Sequence, residues 1–216
     1  QGTKKCRLFY QQQENKLNKD PILLTGYADA NFANEKERTS IGGFCFTINE
    51  TGQHTNMVTW GSRRMRHICT STEAAELSAA TEASKEAFAM TSILKQLNLI
   101  QPNTPTTMKI DNKPTTQVIE NGGYYARLKH LDVAYKYIIQ LQQEKIISVQ
   151  WIPNHEQLAD ALTKPLPRQA LETFNKKIFT NGLENHEENE PQFKFINNQH
   201  QTSHTQSSLK DHEPCL

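Results

Sequence analysis

Residues 70–97 form a run of 28 residues without glycine or proline, rich in alanine, glutamate, leucine and lysine. These residue types favour the helical backbone, so the run predicts the longest helix of the chain. Thr70 and Glu73 fit a capping box, in which each side chain accepts a hydrogen bond from the backbone N–H of the other residue. We therefore expect the helix to begin at Thr70.

Three strand signals precede this helix. Residues 22–29 are largely apolar, and residues 41–48 alternate so that Phe44, Phe46 and Ile48 share one face. Residues 57–60 form a third short apolar segment, and residues 49–52 carry a turn signal. The short connections predict an antiparallel meander.

Strands and helices alternate after the long helix. The patterns predict strands at 107–111 and 146–152, and helices at 114–121, 131–144, 156–163 and 168–179. Pro102 and Pro105 follow the long helix, and Gly122 and Gly123 stop the next one. The chain is therefore predicted to be an α/β fold, a mixed five-stranded sheet of three antiparallel strands followed by parallel strands, flanked by helices.

Charge is distributed unevenly along the 216-residue chain. Lysine and arginine number 24 against 23 acidic residues, but residues 181–216 hold only two of the bases and six of the acids. That segment is too polar to offset its ordering entropy, so it is predicted to be a disordered acidic tail. We expect a lead-in segment at 1–20 and one domain at 21–180. His200 and His204 could hold a metal, although such pairs are common in polar tails.

Several classes of protein are excluded by composition. No stretch approaches the roughly 18 consecutive apolar residues that a membrane span needs. The first ten residues lack the apolar core of a secretory signal, and the missing initial methionine suggests a fragment. The four cysteines form no CxxC pair, which argues against a zinc ribbon or a disulfide framework and favours a reducing environment.

Four acidic residues stand among apolar neighbours. Asp29 and Asp111 end predicted strands, Glu76 lies in the alanine-rich helix, and Asp160 lies between Ala159 and Ala161, without an adjacent lysine or arginine in any of the four cases. A carboxylate buried without a partner is costly. Each acid alone has an ordinary alternative, as a turn former, a helix cap or an exposed helix residue. Together they predict a divalent metal site, since carboxylate oxygens suit Mg²⁺ and Mn²⁺.

At these residues the sequence resembles the ribonuclease H domain of copia-type LTR retrotransposon Pol polyproteins, from about residue 2 to about residue 175. The matching stretches are Gly26-Tyr27-Ala28-Asp29-Ala30, Arg38-Thr39-Ser40-Ile41-Gly42-Gly43, Trp60-Gly61-Ser62-Arg63-Arg64, Thr70-Ser71-Thr72-Glu73-Ala74-Ala75-Glu76, Asp111-Asn112, Lys129-His130-Leu131-Asp132 and Gln157-Leu158-Ala159-Asp160-Ala161-Leu162-Thr163-Lys164. Any one of these motifs is weak, but the combination is specific.

The resemblance implies an RNase H-like fold and an active site of Asp29, Glu76, Asp111 and Asp160. Glu76 is favoured over Glu73, which the capping box explains. It further implies two Mg²⁺ ions about 3.5–4 Å apart, with Mn²⁺ able to substitute, and Asp29 as the bridging ligand. The implied reaction is hydrolysis of the RNA strand of RNA/DNA hybrids during reverse transcription. The implied partner is a reverse transcriptase domain upstream in the same polyprotein. The implied location of the protein is inside the cell, in cytoplasmic virus-like particles and in the nucleus.

Basic residues near these acids are candidates for nucleic-acid contacts. Arg63, Arg64 and Arg66 precede the helix that carries Glu76, and an arginine fork matches phosphate oxygens. Lys129 and His130 are further candidates for the backbone phosphates. His155 is a candidate proton shuttle beside Asp160, although a plain helix-start residue is an equally good interpretation.

Three other classes of protein remain to be weighed. Transposases and integrases place a glutamate last, whereas Asp160 is the late acid here. A proofreading exonuclease would want an acid two residues after Asp29, where this chain has Asn31. The serious rival is a catalytically idle or domesticated module that binds nucleic acid or a protein partner, and metal-dependent cleavage would separate it from the enzyme.

Overall fold

The computed structural model describes residues 22–33, 38–51, 54–121 and 132–179. The strands are β1 (Leu24–Asn31), β2 (Ile41–Thr51), β3 (His54–Arg64), β4 (Thr106–Ile110) and β5 (Ile147–Trp151). The helices are α1 (Thr72–Gln96), α2 (Lys113–Asn121), α3 (Asp132–Gln143), α4 (Asp160–Thr163) and α5 (Arg168–Phe179). The predicted lead-in and acidic tail lie outside the described residues.

All five strands form one sheet in the order β3-β2-β1-β4-β5. β2 pairs antiparallel with β1 and with β3, whereas β4 pairs parallel with β1 and with β5. The short connections allow the antiparallel pairs, and the helical crossovers through α1, α2 and α3 make the parallel pairs possible. The predicted mixed five-stranded sheet is confirmed.

Each face of the sheet has its own core. Helix α1 covers one face with small side chains, among them Ala79 and Ala83, against Phe46, which is fully buried. A smaller core on the other face contains Tyr27 and Leu158 together with Ile178 of α5. Successive strand residues point to opposite faces, so β1 contributes to both cores. Asp29 follows Tyr27 by two residues in β1, so the two side chains lie on the same face of the sheet.

The start of α1 corrects the predicted capping box. Ser71, not Thr70, is the N-cap, and its side chain accepts a hydrogen bond from the N–H of Ala74 at 3.2 Å. Glu73 lies in the first helical turn, where a negative charge stabilises the helix dipole. The prediction was wrong because adjacent Thr70, Ser71 and Thr72 are all acceptable caps, and the sequence pattern does not choose among them.

The predicted helix at 156–163 is also wrong. A 3-10 turn at Asn154–Glu156 and the separate helix α4 replace it. The break falls at Gln157, whose buried side chain donates to the carbonyl of Ala28 at 2.9 Å and accepts from the N–H of Ala159 at 3.1 Å. These contacts hold the backbone of this segment against β1, where a continuous helix would not place it.

Strand β3 is longer than the segment predicted at 57–60. It extends to Arg64, so Arg63 and Arg64 belong to a strand. The thiols of Cys45 and Cys69 are buried, whereas the other two cysteines lie outside the described residues. Among the helices that the structure describes, none is long and apolar enough to cross a membrane.

Candidate active site

Three of the four predicted acids come from adjacent elements. Asp29 lies near the carboxyl end of β1, and Asp111 directly follows β4. Because β1 and β4 are parallel, with Ala28 opposite Ile110, the two aspartates end the strands at the same edge of the sheet. Glu76 lies in the second turn of α1, the helix that covers β1.

The carboxylates of Asp29, Glu76 and Asp111 meet at this edge. One oxygen of each lies within 4.8 Å of an oxygen of the other two. Asp29 and Glu76 are buried, with 2% and 4% of their surface exposed, while Asp111 is half-buried. Three carboxylates this close repel one another unless they are protonated or share a cation. We call this group the carboxylate cluster.

Burial and repulsion act together on the acids of the cluster. Burial, followed by the charges of Asp29 and Asp111, raises the pKa of Glu76 to about 9, although the N–H of Ala30 and the Lys164 ammonium act in the opposite direction. Burial and then the Asp29 charge also raise the pKa of Asp111. These shifts are those expected of anions that lack a counter-ion.

The cluster fits a hard divalent cation. Its donors are all carboxylate oxygens, the ligands that Mg²⁺ and Mn²⁺ prefer. Within the described part of the chain, Oε2 of Glu76 is buried without a hydrogen-bond partner. A bound cation would supply the interaction that this oxygen lacks.

Asp160 stands apart from the cluster. It is the first residue of α4 and is buried, but its oxygens are not among those that meet within 4.8 Å. Its Oδ1 lies 2.7 Å from Nζ of Lys164. No lysine or arginine is adjacent to Asp160 in the sequence, but Lys164, four residues later, reaches it across one helical turn. Burial raises the pKa of Asp160 to about 6 against the opposing effect of Lys164.

Helix α4 is fastened to the sheet beside the cluster. The hydroxyl of Thr163 donates a hydrogen bond to Oδ2 of Asp29. Asn31 Nδ2 donates to the carbonyl of Thr163 at 3.1 Å, and Ser62 Oγ donates to the carbonyl of Leu162 at 2.5 Å. Sequence reasoning did not identify Thr163 or Ser62 as site residues, although each lies within a motif that carries the resemblance.

A glycine makes this close approach possible. Gly43 pairs with Asp29 across β1 and β2. A Cβ atom at Gly43 would lie 2.6 Å from Cγ2 of Thr163 and 3.0 Å from Cβ of Leu162. Any side chain at this position would push α4, and with it Asp160, away from the sheet.

Gln157 links the cluster to the segment before α4. Its side chain bonds to Ala28 and Ala159, and it also lowers the pKa of the Asp111 carboxyl. A buried amide with several partners is a rigid support for the groups it touches. Sequence reasoning did not identify Gln157 as a site residue, and its burial became visible only in the fold.

The three predicted arginines line one groove. The groove has a volume of about 520 Å³, a floor that includes Gly43, Phe44 and Ala79, and a wall that includes Lys85. Arg63, Arg64 and Arg66 are exposed along it. Gly43, which lines this groove, pairs with Asp29 across β1 and β2. Such a surface is complementary to a phosphate backbone.

Of the other predicted site residues, the structure describes only His155. His155 lies in the 3-10 turn with its side chain 80% exposed, and its Nε2 is 3.7 Å from Oε1 of Glu156. Lys129 and His130 lie outside the described residues, as do His200 and His204.

The chain is similar to retrotransposon polyproteins. It is 34% identical over 160 residues, 74% of its length, to the retrovirus-related Pol polyprotein from transposon TNT 1-94 of Nicotiana tabacum. It is 31% identical over 158 residues, 73% of its length, to the Pol polyprotein from transposon RE2 of Arabidopsis thaliana. The chain spans about a tenth of the length of these curated relatives. No protein-family model matches it.

Solved structures with a similar fold are RNase H domains. LC11-RNase H1 in complex with an RNA/DNA hybrid has a TM-score of 0.48 and 17% identity, covering 68% of this chain and 99% of that one. The PFV RNase H domain has a TM-score of 0.46 and 16% identity, covering 71% of this chain and 97% of that one. Because these TM-scores are low, the fold class rests on the observed strand order and pairing.

Proposed function

We propose that this chain, which is homologous to one segment of retrotransposon Pol polyproteins, is a metal-dependent ribonuclease H. It would hydrolyse the RNA strand of RNA/DNA hybrids during reverse transcription. The observation that carries the proposal is the meeting of Asp29, Glu76 and Asp111 within 4.8 Å. These residues come from three different elements, and they are the acids that the sequence resemblance selects.

The cluster would hold Mg²⁺, with Mn²⁺ as a substitute, and Asp160 would add a fourth carboxylate. Two bound ions would supply an activated water and would stabilise the charge that develops on the leaving oxygen. The chain itself orients the ligands. Thr163 holds Asp29 through its hydroxyl, and Gln157 holds the segment before α4 against the carbonyl of Ala28. Supports of this kind fix the geometry of ligands and are worth roughly 10–100-fold in affinity or activity.

The basic groove would hold the substrate. Arg63, Arg64 and Arg66 would contact phosphates and set the position of the hybrid along the groove. Lys129 and His130 are proposed as further phosphate contacts, and His155 as a proton shuttle. Discrimination between RNA and DNA would depend on groove shape and on the 2′-hydroxyl.

The same resemblance suggests the setting of the reaction. A reverse transcriptase domain would precede this segment in the polyprotein and would share its hybrid substrate. The activity would take place inside the cell, in cytoplasmic virus-like particles and in the nucleus.

The test is cleavage of a hybrid with a labelled RNA strand in Mg²⁺. Duplex DNA, duplex RNA and a reaction in Ca²⁺ serve as controls for substrate and metal. We expect cleavage of the hybrid alone, lost in Asp29→Asn. Hybrid binding without cleavage by the wild-type chain would instead favour the alternative, a catalytically idle module that binds nucleic acid.

A further inference from the structure

Asp160 differs from the three acids of the cluster because it already has a cation. Nζ of Lys164 lies 2.7 Å from Oδ1 of Asp160, and the two side chains are only 34% and 12% exposed. Lys164 also caps α4, since its backbone N–H donates to the carbonyl of Asp160 at 3.2 Å. The contact is an ion pair within one short helical turn, and its geometry does not give Oδ1 of Asp160 a hydrogen bond.

The charge of Lys164 extends to the cluster as well. It lowers the pKa of Glu76 and of Asp111, and the charge of Asp29 in turn helps to raise the pKa of Lys164. Lys164 therefore acts on Glu76 and Asp111 as well as on Asp160, its ion-pair partner. A divalent cation would do the same, so the two compete for the same carboxylates.

Hydrogen bonds hold the backbone around Asp160 in place, so this backbone does not move to separate Asp160 from Lys164. The hydroxyl of Thr163 is bonded to Asp29, and the carbonyls of Leu162 and Thr163 accept hydrogen bonds from Ser62 and Asn31. Helix α4 therefore stays beside the cluster. Only the side chains of Asp160 and Lys164 remain to be rearranged.

We infer that Lys164 is the resident counter-ion of Asp160 and must release this carboxylate before a divalent cation can recruit it. The inference rests on the proposed function, since it assumes that the cluster binds the cation. It assigns the two parts of the site different tasks. The cluster would capture the ion, and the exchange at Asp160 would complete its coordination.

A double-mutant cycle on metal affinity tests this exchange. Mg²⁺ binding to the full chain, without nucleic acid, is measured by titration calorimetry at one pH and ionic strength. The proteins are wild type, Lys164→Met, Asp160→Asn and the double variant. We expect Lys164→Met to bind Mg²⁺ roughly tenfold more tightly than wild type. In the Asp160→Asn background the same substitution should tighten binding clearly less, because no ion pair remains to be broken and only the longer-range charge of Lys164 on the cluster is removed.

Two results would overturn the inference. Equal tightening in both backgrounds would mean that Lys164 acts only as a distant positive charge. Unchanged or weaker binding by Lys164→Met would mean that the ammonium does not compete. If wild type itself binds no divalent cation, the proposed metal site fails first, so the two failures can be told apart.

Matched variants separate the exchange from unrelated effects. Lys95→Met removes a positive charge from the last turn of α1, about 28 Å along the helix from Glu76, and should leave the affinity unchanged. Lys164→Arg keeps the charge and should stay close to wild type. If Lys164→Met does not fold, Lys164→Gln takes its place in the cycle, and thermal melts of every variant confirm folding.

Discussion

Glu76 and Asp160 are both buried acids within range of the Asp29 charge, yet only one of them has a base of its own. Asp160 is followed four residues later by Lys164, which reaches its carboxylate across one turn of α4. Glu76 lies on α1 with Thr72 and Ala80 at the corresponding positions. Its pKa rises to about 9, whereas that of Asp160 rises only to about 6. The comparison teaches that a buried acid without an internal base marks the place where an external cation is needed.

The largest effect is expected when Glu76, the acid that lacks a base, is replaced. Glu76→Gln should reduce hybrid cleavage by roughly a hundredfold to a thousandfold, because it removes a cluster ligand and the charge it carries. Glu73→Gln, in the same helix, is the matched control and should retain activity. Cleavage rates at saturating Mg²⁺ measure both. A Glu73 variant as defective as the Glu76 variant would contradict the assignment.

The raised pKa of Glu76 makes the stability of the metal-free protein depend on pH. An unfolded glutamate ionises near its ordinary pKa of 4.5, but the folded one only near 9. Between these values the folded state binds more protons, so stability falls as pH rises. With chelator present, we expect the melting temperature to be several degrees lower at pH 8 than at pH 6.

Two further measurements test whether Glu76 causes this pH dependence of stability. Saturating Mg²⁺ should reduce the fall, since the cation stabilises the ionised cluster at the higher pH. Glu76→Gln should also reduce it, because the group that titrates is gone. A chelated wild type whose stability stays level or increases from pH 6 to pH 8 would show that Glu76 is ionised without a cation.

The link between α4 and the cluster depends on one hydroxyl. Thr163→Val keeps the shape of the side chain but removes the hydrogen bond to Asp29. We expect roughly a 10–100-fold loss of activity, as is usual when a support of a metal ligand is removed. Thr163→Ser retains the hydroxyl and should keep most of the activity. Equal losses in the two variants would assign the effect to packing.

The smallest expected effect concerns the space beneath α4. Gly43→Ala places a methyl group 2.6 Å from Thr163 and should cost about 1–3 kcal/mol of unfolding free energy. Gly42→Ala is a neighbouring control, since its methyl group would meet the flexible end of Met65 at 3.0 Å. Denaturant unfolding measures both. A Gly42 variant less stable than the Gly43 variant would contradict the described packing.

Most of the fold could be predicted from local patterns. Alternation predicted β2 and the helix-favouring residue types predicted α1, and both elements match the predicted segments to within three residues at each end. Asp29 and Asp111 were predicted to end strands, but the structure alone shows that these two strands are parallel neighbours. Their roles in catalysis stay predictions.

Features that depend on distant contacts could not be predicted. Gln157 breaks a helix because it bonds to Ala28, which is 129 residues away in the sequence. Gly43 is required by Thr163, and neither residue signals the other in the sequence. The immediate sequence neighbours of Asp160 do not include its partner Lys164, because a helix brings together residues that are four apart.

The measurement that tests the central claim most directly is crystallographic. Crystals of the full chain soaked in Mn²⁺ give anomalous scattering at the metal. We expect a peak about 2.0–2.3 Å from oxygens of Asp29, Glu76 and Asp111, and no such peak in Asp29→Asn crystals soaked in the same way. A wild-type crystal in which Mn²⁺ binds elsewhere, or leaves these three carboxylates without a metal at saturating concentration, would contradict the account.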